Sequence, residues 1–230
     1  MPQFDYGYFT HSRKKVGKVD QSKERKELSK KRTIKNKLIA NEFDENYYDG
    51  SRVNGYGGFR YDGRWRKFLP KIIRRYKLNQ DSKVLDLGCK KGFFLKDLED
   101  LVPKIKIYGV EDHNYPVKNS LQSVRKKIKI VSTYYDLKYP KKYFDFVHAH
   151  NSIYYYPLRD LIKILRKISY ISKNSHITIP TYNNEQEFIK FKNWSLVGPT
   201  IFKKNEWIQI FNYCGYKGDY FFSGPKSYGL

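Results

Sequence analysis

Cysteine is nearly absent from this chain. Cys89 and Cys214 are too few to build a disulfide framework or a zinc cluster, and five scattered histidines do not supply the missing ligands. No metal site is therefore expected. Acid is scarce as well: 23 Asp and Glu stand against 46 Lys and Arg, a formal net charge of +23. No run approaches the ~18 apolar residues that a membrane-crossing helix needs. The opening MPQFDYGYFTHSRKK has neither an apolar stretch nor a small-residue cleavage site, so no secretory leader is expected. These absences point to a cytoplasmic protein of a reducing compartment.

What is present is enough for a core. Of 230 residues, 40% are hydrophobic and 17% aromatic, which excludes collagen, low-complexity fibres and wholesale disorder. The length suits one large domain, or one domain with an appendage. Positive charge is densest at the start, where residues 1–40 carry twelve basic and four acidic side chains, but the remainder is basic too. Enrichment in Lys, Ile, Asn and Tyr is also what an AT-rich genome imposes, so polyanion binding is one reading of this charge and composition the other.

Three zones divide the chain. Residues 1–46 offer only Leu28, Ile34, Leu38 and Ile39 as an apolar stripe, which predicts a basic arm, partly disordered or helical. Residues 47–64, YYDGSRVNGYGGFRYDGR, mix glycines with rings and charges and read as a lid segment opening a domain of residues 47–230. From Trp65 the pattern alternates. Apolar strands are predicted at Lys83–Leu87, Lys106–Val110, Ile128–Val131, Tyr143–His148, His176–Ile179 (stopped by Pro180) and Asp219–Phe222, with helices between them, one running from about Pro116 to Lys126. Eight residues after Phe222 leave little room for a further strand. Strands separated by helices give an α/β fold, a Rossmann-like, doubly wound, mostly parallel sheet with a basic N-terminal arm.

In such a sheet, ligands bind beyond the carboxyl ends of the strands, where the strand order reverses. The first strand ends in Val84-Leu85-Asp86-Leu87-Gly88-Cys89-Lys90-Lys91-Gly92, a turn of small residues entering a helix, which suits close approach of backbone amides to a ligand. Twenty-three residues after Gly88 stands Glu111, ending the second strand, where a carboxylate can accept hydrogen bonds from both hydroxyls of a ribose. A water-exposed strand-end glutamate is the plainer reading.

KVLDLGCKKGFFLKDL resembles the first motif of class I S-adenosylmethionine-dependent methyltransferases, and IYGVEDHN their second. Asp136–Pro140 with Tyr143–Val147, and Glu206 through Tyr216, are similar to later parts of that fold, so the resemblance spans about residues 56–222. It looks closest to a bacterial branch with a Tyr-Asp-Gly-Arg-Trp lead-in, here Tyr61 to Trp65, linked to surface-polysaccharide or small-metabolite tailoring. The resemblance implies S-adenosyl-L-methionine as cofactor. Asp86, Gly88 and Gly92 would serve its methionine half, Glu111 its ribose, and Asp112 with Thr133 and Tyr134 its adenine. Asn151 would lie beside the methyl group. The family's middle glycine is here Lys90, which either pairs with the cofactor carboxylate or blocks the turn. Arg64 is either a carboxylate partner in the lid or part of a helix start capped by Asp62.

Methyl transfer to oxygen gains from positioning and from a base. His148 and His150 alternate onto one side of the fourth strand, and His150, Asn151 and Tyr154 are the candidate catalytic residues, with Tyr154 suited to orienting substrate. The function expected is O-methylation of a small-molecule or glycan-type acceptor. Two alternatives stay open: an RNA methyltransferase that grips phosphates with its basic arm, and a catalytically silent binding protein of the same fold.

Overall fold

A computed structural model describes residues 1–8 and 21–230. Seven strands form one sheet: β1 (Lys83–Leu87), β2 (Lys106–Glu111), β3 (Ile128–Ile130), β4 (Phe144–His150), β5 (Ser172–Tyr182), β6 (Phe202–Lys203) and β7 (Asp219–Ser223). Their order is β3-β2-β1-β4-β5, with β6 and β7 both pairing with β5, and every strand pairing is parallel. The order reverses between β1 and β4, so a crevice opens at their carboxyl ends. This is the Rossmann-like, doubly wound arrangement that the alternating pattern predicts.

Strand periodicity sends neighbouring residues to opposite layers. Leu85 and Leu87 of β1, with Val147 and Ala149 of β4, join the core beneath α8 (Leu158–Ile171) and α10 (Lys204–Cys214). Val84 and Phe146 join the opposite core, against α4 (Leu69–Tyr76) and α5 (Phe93–Leu101). In α8 the buried residues are Leu161, Ile164, Leu165, Ile168 and Ile171, the three-and-four spacing of one helix face. Each such side chain contributes about 1.5–3 kcal/mol on leaving water. Asp86, His148 and His150 share the face of Val84, which puts them on the α4–α5 side of the crevice.

Several expectations are corrected. Pro180 does not stop β5. There β4 has already ended, and Pro180 pairs with Ser223 of β7 while its carbonyl accepts the Trp207 indole N–H at 3.0 Å, so the missing N–H breaks no ladder on a second edge. The helix expected from Pro116 is two short ones, α6 (Asn114–Lys118) and α7 (Gln122–Arg125). Between them the Ser120 hydroxyl donates to the Val117 carbonyl, and the Leu121 amide donates to Lys91. Strand β6 and α9 (Glu185–Trp194), whose start is capped by Asn184 accepting the Glu187 amide at 3.0 Å, were not expected.

The described part of residues 1–46 is not an arm standing apart. The Phe4 amide donates to the Tyr220 carbonyl at 2.9 Å, extending the sheet beside β7. Tyr6 and Tyr8 follow into the core, 2% and 8% exposed. Helices α1 (Gln21–Lys31), α2 (Ile34–Ala40) and α3 (Glu45–Tyr48) then run along the domain, α1 packing on α9. Arg32 donates to the carbonyls of Val53, Trp194, Arg52 and Gly55, and its guanidinium lies 4.1 Å from the Trp194 ring centre. The apolar count missed this because the anchoring residues are tyrosines and an arginine rather than a hydrophobic stripe. Residues 9–20, part of the expected arm, lie outside the described residues.

Tyr6→Ala should therefore cost about 3–5 kcal/mol of stability, as loss of a fully buried aromatic does. Urea unfolding followed by circular dichroism checks this, with a lowered midpoint and an unchanged slope as the expected result.

Candidate active site

The turn after β1 is built by backbone constraints. Gly88 and Gly92 both adopt positive φ, +76° and +79°. A Cβ on Gly88 would lie 2.3 Å from the Ser152 Cβ, and one on Gly92 would lie 2.7 Å from Val124 Cγ2. Lys90 stands in the same left-handed region at φ 51°, a conformation that costs a side-chain-bearing residue roughly 1–2 kcal/mol. It does not block the turn. Its amide donates to Glu111 Oε2 at 2.8 Å, an interaction with a buried carboxylate that offsets the strain. Burial works against the Lys90 charge, yet the Tyr56 hydroxyl and Glu111 raise its pKa, so the ammonium persists.

Above this turn, at the carboxyl ends of β1 and β4, is a cavity of about 710 Å³, within the range of small-ligand sites. Of the residues singled out in the sequence, Arg64, Asp86, Gly88, Lys90, His150, Asn151 and Tyr154 border it. Asp86 accepts from His148 Nδ1 at 2.8 Å, and both are buried. The His150 Nδ1 lies 2.6 Å from the Tyr6 hydroxyl, which is itself 3.3 Å from Thr178 Oγ1. Asn151, at φ 48°, donates to the Tyr228 hydroxyl at 3.0 Å. Burial raises the Tyr154 pKa well above the usual phenol value, so Tyr154 offers a neutral hydroxyl. Arg64 is paired with Asp62 at 2.8 Å, and Asp62 also accepts the Arg64 amide at the start of the short helical turn. Trp65 is buried beside His148 and His150.

The other candidates lie elsewhere. Gly92 packs under α7 and serves the turn without bordering the cavity. Thr133 lines a separate cavity of about 320 Å³ and bonds Asp136. Glu111 is 3% exposed, and its carboxylate takes the amides of Lys90 and Asp112 together with His113 Nδ1. Asp112 accepts from the hydroxyls of Tyr134 and Tyr156 at 2.9 and 2.5 Å. Over these acids lies the chain's own segment 43–59. Phe43 stacks on His113 at 3.9 Å between ring centres, and Tyr48 stacks on Tyr115. Asp49 fastens the segment down, accepting from Lys91 Nζ at 2.6 and 2.8 Å, the Tyr115 hydroxyl at 2.8 Å and the Phe59 amide at 3.0 Å.

Sequence reasoning missed Tyr6, Tyr8, Asp49 and Lys91. Only Lys91 carried a local signal, being a second lysine inside a turn that has to be buried.

A family profile described as a methyltransferase domain matches residues 59–215. The chain belongs to the methyltransferase-domain family. The chain is also similar to fibrillarin-like rRNA/tRNA 2′-O-methyltransferases of Aeropyrum pernix (26% identity over 122 residues, 48% of this chain and 52% of the relative) and Thermoplasma volcanium (27% over 145 residues, 62% and 61%). It thus spans about half to three fifths of the length of these curated relatives. Among solved structures it resembles a SAM dependent methyltransferase from Archaeoglobus fulgidus (TM-score 0.50, 22% identity, 66% of this chain and 69% of that one). It also resembles the YcgJ protein from Bacillus subtilis (TM-score 0.50, 16% identity, 64% and 66%). These two likenesses carry the fold.

S-adenosylmethionine is the cofactor expected of a methyltransferase domain. Its zwitterionic amino-acid end fits the residues around the cavity, with the Lys90 ammonium and Arg64 on the wall and the Asp86 carboxylate beneath. Its nucleoside end does not fit this arrangement, because neither Glu111 nor Asp112 borders the cavity and segment 43–59 packs on the adjoining His113 and Tyr115.

His113 joins the two acids. Burial alone would lower its pKa, but the hydrogen bonds and charges of Asp112 and Glu111 prevail and raise it to about 9 from 6.5. A folded-state pKa raised in this way gives stability that is fully present below pH ~6.5 and lost as pH rises through about 9. Urea unfolding at pH 6 and pH 9.5 should show a smaller difference for His113→Gln than for the unmodified chain.

Proposed function

We propose that this protein transfers a methyl group from S-adenosylmethionine to a hydroxyl of a small, sugar-type acceptor. The observation that carries the reading is convergence. The first-turn residues Asp86, Gly88 and Lys90 and the β4-end residues His150 and Asn151 border one cavity of about 710 Å³ at the reversal of strand order. When bound, the cofactor supplies an electrophilic methyl on a sulfonium; the protein's part is to hold, orient and deprotonate.

Lys90 and Arg64 take the carboxylate of the amino-acid end, and Asp86 its ammonium. Glu111 would take the ribose, and Asp112 with Tyr134 the adenine side, only once segment 43–59 has moved, and Thr133 stays in its separate cavity. His150 is the proton acceptor. If its Nδ1–H is given to the Tyr6 oxygen, and Tyr6 donates onward to Thr178, the imidazole is fixed with a lone pair on Nε2. Tyr154, neutral, orients the acceptor hydroxyl, and Asn151 holds the edge of the cavity through Tyr228.

A second reading, methylation of RNA, is favoured by the net charge of +23 and by the likeness to rRNA/tRNA 2′-O-methyltransferases. Labelled methyl from S-adenosylmethionine, offered with a panel of monosaccharides and nucleotide sugars and separately with total RNA, distinguishes the two. The expected outcome is label in a small acceptor with little change between about 50 and 200 mM salt, and a 10²–10⁴-fold slower transfer in His150→Gln. Label confined to RNA and falling steeply with salt replaces the small acceptor with a nucleic acid. No transfer to anything leaves a silent binding protein of this fold.

A further inference from the structure

The mismatch at the nucleoside end of the site has a consequence of its own. We infer that segment 43–59 is a latched lid that occupies the nucleoside position, and that a nucleoside reaches Glu111 only when this lid lifts. The inference rests on the cofactor reading above.

Two features set the closed state. Aromatic surface takes the place of a nucleobase, with Phe43 stacked on His113, 27° from parallel at 3.9 Å, and in contact with Tyr155 at 5.6 Å. Tyr47 and Tyr48 are 5% and 1% exposed, packed with Leu196 and Val197 beside Tyr115. The fastening to the cofactor turn is one carboxylate, while Arg32 holds the carbonyls of Arg52, Val53 and Gly55 beside Trp194. Asp49 sits at the end of α3 and grips Lys91, a 7% exposed lysine in the cofactor turn itself, together with Tyr115 of α6.

That geometry gives the lid two discrete states. Phe43 and Asp49 contact elements that do not belong to the lid, namely His113, Lys91 and Tyr115, so these contacts exist only when it is down. The Gly55–Gly58 stretch lets the chain bend: Gly57 and Gly58 have φ of 70° and 101°, conformations that glycine adopts without strain. A ligand that binds only the open state has its affinity divided by the open fraction. Weakening the latch should then tighten nucleoside binding, the reverse of what losing ordinary binding contacts does.

The test is calorimetric titration of S-adenosylhomocysteine into the unmodified protein, Asp49→Asn and Phe43→Ala, with hydrogen exchange of residues 43–59 measured with and without ligand. The two variants disturb the lid in different ways, and retention of the far-ultraviolet circular dichroism spectrum shows that each has folded. The expected result is binding tightened about 10-fold in both variants, with amides of the lid exchanging faster in the unmodified protein once ligand is added. Binding by the variants alone carries the same conclusion. Equal or weaker binding by both variants, with lid exchange unchanged or slowed by ligand, overturns the lid and leaves the cofactor reading intact. Failure of all three proteins to bind at millimolar ligand overturns the cofactor reading and the lid with it.

Discussion

The Glu111 carboxylate is the hinge on which the site's architecture turns. Its acceptance of the Lys90 amide holds a lysine in left-handed backbone geometry and so sets the path from β1 into α5. Its other oxygen, through the Asp112 amide and His113, fixes the start of the loop after β2. A buried carboxylate cannot be left without partners, because the cost of desolvating it is not recovered. Burial accordingly raises its pKa, and donors on both sides gather to it. The two loops that flank the crevice are shaped by one residue's need for hydrogen bonds.

Asp86 answers the same demand differently. It lies opposite His148 across the β1–β4 pairing and takes the imidazole N–H, so the crevice has two buried acids held by different means. The pair leaves His148 Nε2 without a partner among the described residues. Beside it Tyr6, Trp65, Phe94 and His150 crowd one another. The wall of the cavity is therefore aromatic at its base and cationic at its rim.

How much of this could be read in the sequence depends on the range of each interaction. The strands were legible because Lys83–Leu87 and Tyr143–His148 are largely apolar runs bounded by turns, although the latter strand runs on to His150, and their pairing follows from the helices between them. Glu111 was legible as a strand-end acid at the right distance from Gly88. Its partner was not, since a backbone amide has no letter in the sequence. Tyr6 could not be placed at all: it meets His150 and Thr178 across more than a hundred residues, and nothing periodic announces such a contact. Asp49 looked like one more charge in a polar loop, although its three-sided binding to Lys91, Tyr115 and Phe59 makes it the fastening of that loop. The helices expected in residues 1–46 are there, but their packing was not legible, because tyrosines and an arginine anchor the segment and an apolar count passes over them.

The pairing of Phe4 with Tyr220 joins residues far apart in the chain. During synthesis the residues around Phe4 leave the ribosome well before their partner strand β7. At about 5–20 residues per second, Tyr6 waits on the order of ten seconds or more before β7 exists to receive its neighbour. The sheet from β3 to β5 has its own pairings by then, so the histidine end of the crevice is the final part to close. A nascent chain would thus carry a folded scaffold before it carried a finished site.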